Sequence, residues 1–204
     1  LIKKSVTLIK KSQNLNIDIE NVDINDAKAY ELLSKGQTDG IFQFESAGMQ
    51  KHLSSLKPNI FEDLIAMVAL YRPGPMQFIE SFINRKHGKE KIEYLHPLTT
   101  NSLEETYGVT VYQEQVMQIA RDMGGLTGAE ADTLRKAIGK KNLKTMEKLK
   151  VKFVEGATKN GVKAHIIEKI WTDWEAFANY AFNKSHAAAY AYVAFQTAYL
   201  QAHF

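Results

Sequence analysis

A mainly α protein, an irregular multi-helix domain with a few short β stretches, is what these 204 residues predict. Three observations lead there. Apolar residues recur at helical spacing through most of the chain. The segments so marked are bounded by cap residues, glycines and prolines. Only brief stretches such as "DGIFQF" and "VTV" alternate or gather β-branched residues.

Ile2, Val6 and Ile9 lie opposite Lys3, Lys4, Lys10 and Lys11, which predicts an amphipathic first helix. The polar stretch "NLNIDIENVDIND" follows as linker or short strand. Asp26 is a good N-cap for "AKAYELLSKG", which Gly36 closes. "ESAGMQKHLSSLKP" predicts a helix stopped by Pro58, and Asn59 is placed to cap "IFEDLIAMVALY". That helix runs into the rigid turn "RPGP", and "MQFIESFINRKHG" is helical again. After "HPLTTNSLEETYG" and "VTV" comes the helix "YQEQVMQIARDMGG". Thr127 and Glu130 have capping-box spacing, so they start a helix that carries Arg135 and Lys136 and leaves Gly139 near its end. Asn142 is placed to cap "LKTMEKLKVKFVEGATKNG"; "AHIIEKIWTDWEAFANYAF" and a last helix after "NKS" complete the chain. No internal repeat or low-complexity segment interrupts it.

A composition of 45% hydrophobic and 24% charged residues fits a folded protein with one good core or two small ones. The formal charge of +3 is mildly basic, so nucleic-acid binding has to be argued from where the charge lies. Without cysteine there is no disulfide framework, thiolate nucleophile or cysteine zinc site, and the cytoplasm is the default location. The N-terminal apolar residues are interleaved with lysines, unlike a secretion signal. The long uncharged run from His186 is rich in Ala and Tyr and contains Gln196, Thr197 and Gln201, which predicts a buried helix and no membrane span. A chain that starts without Met and stops inside a helix is expected to be a piece of something larger.

Four constellations carry chemistry. "TLRKAIGKKNLK" gathers Arg135, Lys136, Lys140, Lys141 and Lys144. Lys136 and Lys140 share a face while the helix lasts, and Gly139 lets the chain turn beyond it, a geometry able to wrap a polyphosphate. The same run also suits a solvated helix end, where cations favour the C-terminal dipole, and composition alone favours that reading. In "FNKSHAAAYAYVAF", His186 and Tyr190 share a face near Lys184, with Ala187, Ala188 and Ala189 keeping the turn slim enough for a flat ligand or for close helix packing. Arg72 sits in "YRPGP", a turn that fixes its direction toward a phosphate or a carboxylate, or simply ends a helix. Asp18 and Glu20 would share one face of a strand, a spacing that could hold a divalent metal, but in a segment where acids are normally solvated. No zinc-protease pattern, nucleophile elbow, Walker loop or dinucleotide fingerprint is present. Taken alone, the residues offer phosphate grips without a catalytic centre.

Seven segments, "GIFQFES", "VALYRPGP", "FINRKHG", "TYGVTVYQEQVMQIA", "LRKAIGKK", "FVEGATKNG" and "FNKSHAAAYA", stand in the order and approximate spacing of one family. The chain resembles the alpha subunits of bacterial DNA polymerase III, the C-family replicative polymerases, most densely from Asp26 to Phe204. The resemblance implies a polymerase fingers domain over 26–204, cut short at its C-terminus, preceded by a palm-to-fingers connection over 1–25. It implies that Arg135 and Lys136 meet the triphosphate of the incoming nucleotide, with Lys140 and Lys141 as nearby phosphate contacts. Lys184, His186 and Tyr190 match the helix beside the nascent base pair, and Arg72 matches a fixed turn that is structural or phosphate-directed. Lys144 falls outside the matched core and reads as surface.

The family's palm aspartates, which hold two Mg2+ ions, are expected outside this chain, before Leu1; "LIKKSVTLI" departs from the family pattern at Ile2 and Lys3. No catalytic residue, metal ligand or cofactor is therefore expected within it, and Asp18 and Glu20 are not the metal pair. The implied activity is DNA-directed DNA polymerisation by a parent enzyme, with this piece inactive alone. Primer–template DNA and deoxynucleoside triphosphate are the implied partners; other replisome subunits would bind through regions elsewhere, and no membrane is involved. A stand-alone helical nucleic-acid-binding module and a purely structural helical domain are the competing readings.

Overall fold

Side-chain caps set where several of the helices begin in the structure, a computed structural model that describes residues 1–204. Eleven α-helices form: α1 (Ile2–Gln13), α2 (Ala27–Ser34), α3 (Ala47–Leu56), α4 (Phe61–Leu70), α5 (Ile79–Lys86), α6 (Thr100–Leu103), α7 (Gln113–Asp122), α8 (Gly128–Gly139), α9 (Leu143–Lys159), α10 (Ala164–Phe177) and α11 (Lys184–His203). The mainly α expectation holds. Contacts divide the chain into two units, Leu1–Tyr71 with Ser185–Phe204, and Arg72–Lys184.

In the first unit the Asp26 carboxylate accepts the Ala29 N–H at 2.8 Å and starts α2, as predicted. The helix ends in a left-handed Gly36 (φ 67°), with the Gly36 and Gln37 N–H groups donating to Leu33 and Leu32. Asn59 does not cap α4. Ile60 holds the cap position, and Asp63 reaches back to accept the Asn59 N–H at 3.1 Å, because a carboxylate in the first turn can serve the amides before it. The segment holding Asp18 and Glu20 is a 3₁₀ turn over Ile19–Asn21, not a strand. Asp18 accepts from the Asn21 side chain at 2.9 Å, and α11 holds the turn through Tyr192 and Gln196, which donate to the carbonyls of Glu20 and Ile19. The core includes Ile41, Phe44, Leu53, Leu56, Leu64 and Phe195, all fully buried.

"DGIFQF" makes tight turns in place of a strand. The Ile41 N–H donates to Thr38, the Phe44 N–H to Ile41, and the buried Thr38 hydroxyl to the Phe44 carbonyl at 2.5 Å. "VTV" also fails to form a ladder, for a different reason. The buried Gln115 side chain accepts the N–H groups of Val111 and Tyr112 at 2.8 and 2.9 Å, the donors a neighbouring strand would need. The expected short β stretches reduce to an isolated parallel bridge between Tyr112 and Phe182.

The second unit is organised around α7, α8, α9 and α10. Phe153, Trp171 and Trp174 form a buried triangle with ring centroids 4.9–5.5 Å apart. Fully burying a side chain of this size contributes about 2–3 kcal/mol. At Gly156, α9 passes so close to the end of α7 that an added Cβ would lie 1.8 Å from the Gly124 carbonyl oxygen. Neither position has room for a side chain.

Candidate functional site

The basic stretch lies on a helical hairpin, α8 and α9, joined by Lys140, Lys141 and Asn142 alone. Thr127 and Glu130 form the predicted capping box. The Thr127 hydroxyl accepts the Glu130 N–H at 3.3 Å, and the Glu130 carboxylate accepts the Thr127 N–H at 2.8 Å. Glu130 also pairs with Lys152 of α9 at 2.5 Å. Lys152 chiefly, and the Thr127 amide and hydroxyl next, pull the Glu130 carboxyl down to about 2. One side chain thus starts α8 and clasps it to α9.

At the other end Gly139 is the last residue of α8, near the helix end as expected, but the chain turns at Lys141, which takes the left-handed conformation, φ 54°. The Asn142 N–H donates to the Ala137 carbonyl at 2.8 Å and the Lys141 N–H to the Ile138 carbonyl, so the helix-closing motif demands its left-handed residue at position 141. Asn142 cannot shift, because its side chain accepts the Thr145 N–H at 3.2 Å and caps α9 as predicted. A left-handed lysine costs about 1–2 kcal/mol that glycine would not.

Leu134, Ala137 and Ile138 are buried and aim Arg135 and Lys136 outward. Both cations meet one acid that the sequence reading did not single out. Asp132 Oδ1 accepts from Arg135 Nε at 2.9 Å and Nη2 at 2.8 Å, while Oδ2 lies 2.7 Å from Lys136 Nζ. The Lys136 bond first, and Arg135 next, hold the Asp132 carboxyl below its ordinary range. The i,i+3 and i,i+4 spacing in "DTLRK" was the available signal. Lys140 and Lys141 are exposed and stand outside this cluster.

Lys184 opens α11, where a cation faces the positive end of the helix dipole. Two acids offset this. Glu105 pairs with its ammonium at 2.5 Å, and Glu114 accepts its N–H at 2.9 Å and the Asn183 side-chain amide at 2.7 Å. Arg72 is committed within the second unit. Its Nη2 donates to the Tyr180 carbonyl at 2.9 Å and its guanidinium lies 4.1 Å from the Phe182 ring centroid, an arrangement that braces the "RPGP" turn. Desolvation on burial lowers its pKa.

In the first unit the His186 and Tyr190 rings lie with centroids 4.2 Å apart, their planes tilted by 40°. Phe42, within "GIFQFES" but not singled out by the sequence reading, joins Tyr190 at 5.3 Å. Its N–H donates to Thr197 Oγ1 at 3.2 Å, and the next residue, Gln43, is left-handed (φ 65°). Ile41 and Phe44 are buried on either side, so the turn presents Phe42, 38% exposed, beside α11. No local pattern links residues so far apart in sequence. Of the alanines expected to keep this face slim, Ala187 is buried and Ala189 is exposed.

No group of three or more His, Asp or Glu residues is arranged to hold a metal ion, and no helix is long and apolar enough to cross a membrane. The bacterial DNA polymerase III alpha subunit finger domain is the family whose sequence pattern matches, over residues 1–161. The chain is 48% identical over its full length to a DNA polymerase III subunit alpha of Aquifex aeolicus, covering 18% of that protein. It is 50% identical to the subunit of Campylobacter jejuni and 46% identical to that of Bacillus subtilis, again over its full length and 17% and 18% of theirs. The chain thus spans less than a fifth of the curated relatives it matches.

Proposed function

This chain belongs to the bacterial DNA polymerase III alpha subunit finger-domain family, and on that premise we propose that its α8–α9 hairpin grips the triphosphate of the incoming nucleotide during template-directed DNA synthesis. The observation that carries the reading is the hairpin itself: four cations, Arg135, Lys136, Lys140 and Lys141, on the last turns of one helix and a connection fixed at both ends. A triphosphate carries three to four negative charges, and more charge develops on its oxygens as the leaving pyrophosphate departs. Arg135 supplies a planar fork for two oxygens, and the lysines supply point charges that need no particular alignment. Neutralising the chain of phosphates orients the α-phosphorus toward the primer hydroxyl.

His186 and Tyr190, with Phe42, would contribute flat surface for the nascent base pair. Lys184 and Arg72 would act nearer to DNA, Arg72 mainly by holding the turn. Residues 26–204 act as fingers and residues 1–25 as the connection to the palm. Mg2+ would be held by palm aspartates outside this chain, where it supplies activation of the primer hydroxyl and stabilisation of pyrophosphate; alone, the chain is inactive. Primer–template DNA is the macromolecular partner, further replisome subunits engage the enzyme elsewhere, and the work is done in the cytoplasm.

The test replaces Arg135 and Lys136 together by Ala in the complete polymerase and measures single-nucleotide incorporation. A loss of at least about a hundredfold at low nucleotide is expected, from removal of two charge-assisted contacts worth about 1.5–3 kcal/mol each. Near-normal turnover at low nucleotide would refute the grip.

A further inference from the structure

We propose that Asp132 is a built-in counter-ion of this grip, a positioning residue that weakens nucleotide binding and speeds release of pyrophosphate. The inference rests on the triphosphate reading and adds to it the group that tunes it. One carboxylate engages both leading cations: the Nε and Nη2 edge of Arg135 through Oδ1, and the Lys136 ammonium through Oδ2. That guanidinium edge is one that phosphate oxygens use, so Asp132 stands where a ligand oxygen would bind. Its carboxyl, ionised at neutral pH as an ordinary aspartate is, is held lower still, first by Lys136 and then by Arg135.

The cluster is open to water. Asp132 and Arg135 are 36% and 29% exposed in their side chains, and Lys136 is 60% exposed. Ion pairs in such positions are weak and exchange readily. A polyphosphate brings more charge and more acceptor oxygens than one carboxylate, so it takes Lys136 and the remaining Arg135 donors. Asp132 then lies within reach of the bound anion and repels it. Three other acids have structural duties: Glu130 caps α8 and clasps Lys152, while Glu105 and Glu114 hold the start of α11. Asp132 caps no helix, and its ion-pair partners, Arg135 and Lys136, are both cations of the grip.

The experiment compares Asp132→Asn and Asp132→Ala with the parent in the complete polymerase, at low salt and at high salt. Nucleotide KM and the concentration of inorganic pyrophosphate that halves incorporation are the readouts. Both substitutions are expected to lower the two values, by about three- to tenfold at low salt and less at high salt. An unchanged or raised KM in both variants overturns the proposal, since a residue that merely orients the cations weakens binding when lost. The Arg135→Ala/Lys136→Ala variant is measured alongside. If it leaves KM unchanged the triphosphate reading itself fails; if it raises KM while the Asp132 variants do not lower it, only the counter-ion role fails.

Discussion

Lys141 holds a backbone conformation that glycine would hold at no cost, and its φ of 54° is imposed by the closure of α8 onto Ala137 and Ile138. Replacing it by glycine removes the left-handed penalty of about 1–2 kcal/mol. The more flexible unfolded chain takes back about 0.4–1 kcal/mol. A net gain of about 0.5–1 kcal/mol follows, which for a chain of this size raises the melting temperature by about 1–4 °C. The same change deletes a cation of the proposed grip. A charge-assisted hydrogen bond is worth about 1.5–3 kcal/mol, so nucleotide KM in the complete polymerase should rise at least about tenfold. Thermal unfolding and single-nucleotide incorporation measure the two effects. Asn at 141 tolerates the left-handed region and should behave like Gly, whereas Arg should keep both the strain and the affinity. A glycine variant that is no more stable would refute the strain argument. One that is more stable with an unchanged KM would remove Lys141 from the triphosphate contacts.

Two further predictions concern the frame around the hairpin. Gly156→Ala would bring a methyl group 1.8 Å from the Gly124 carbonyl oxygen, so the helices must move apart. A loss of about 3 kcal/mol is expected in urea denaturation, and an unmoved midpoint would contradict the close pass. Glu130 titrates near 2 when folded, below its ordinary 4.5, because Lys152 and Thr127 bind its charged form. A group depressed by folding adds stability above its unfolded pKa and loses it as the pH falls. Glu130→Gln should therefore flatten the fall in urea midpoint between about pH 4.5 and 2, and an unchanged pH profile would exclude this carboxylate as its source.

Three helix starts were legible from a short polar side chain that answers an amide three residues ahead. Asp26, Thr127 with Glu130, and Asn142 all cap as their spacing indicates, because that bond depends on little beyond the local chain. Asn59 shows the limit: Asp63 competes for the same end of the helix and reaches back to the Asn59 amide. "VTV" forms no ladder because the Val111 and Tyr112 amides bond to Gln115, whose own amide is held by the Ser102 carbonyl and the Thr106 hydroxyl. Gly139 looked like the turn residue by composition, but the bonds to Ala137 and Ile138 place the turn two residues later. The Asp132 cluster could have been read from spacing alone. Phe42 beside Tyr190 could not, because only the tertiary fold brings them together.

A helix pair clasped at both ends behaves as a strut. The capping box with Lys152 locks the beginning of α8 to α9, and the connection of Lys140, Lys141 and Asn142 has no slack to absorb a pull on its lysines. A ligand that draws the loop toward itself therefore has to draw α9 along its axis. That helix has 17 residues, about 25 Å at the usual rise. Phe153, on the same helix, packs in the buried triangle with Trp171 and Trp174, so the helix that the loop opens into is also the one that borders α10.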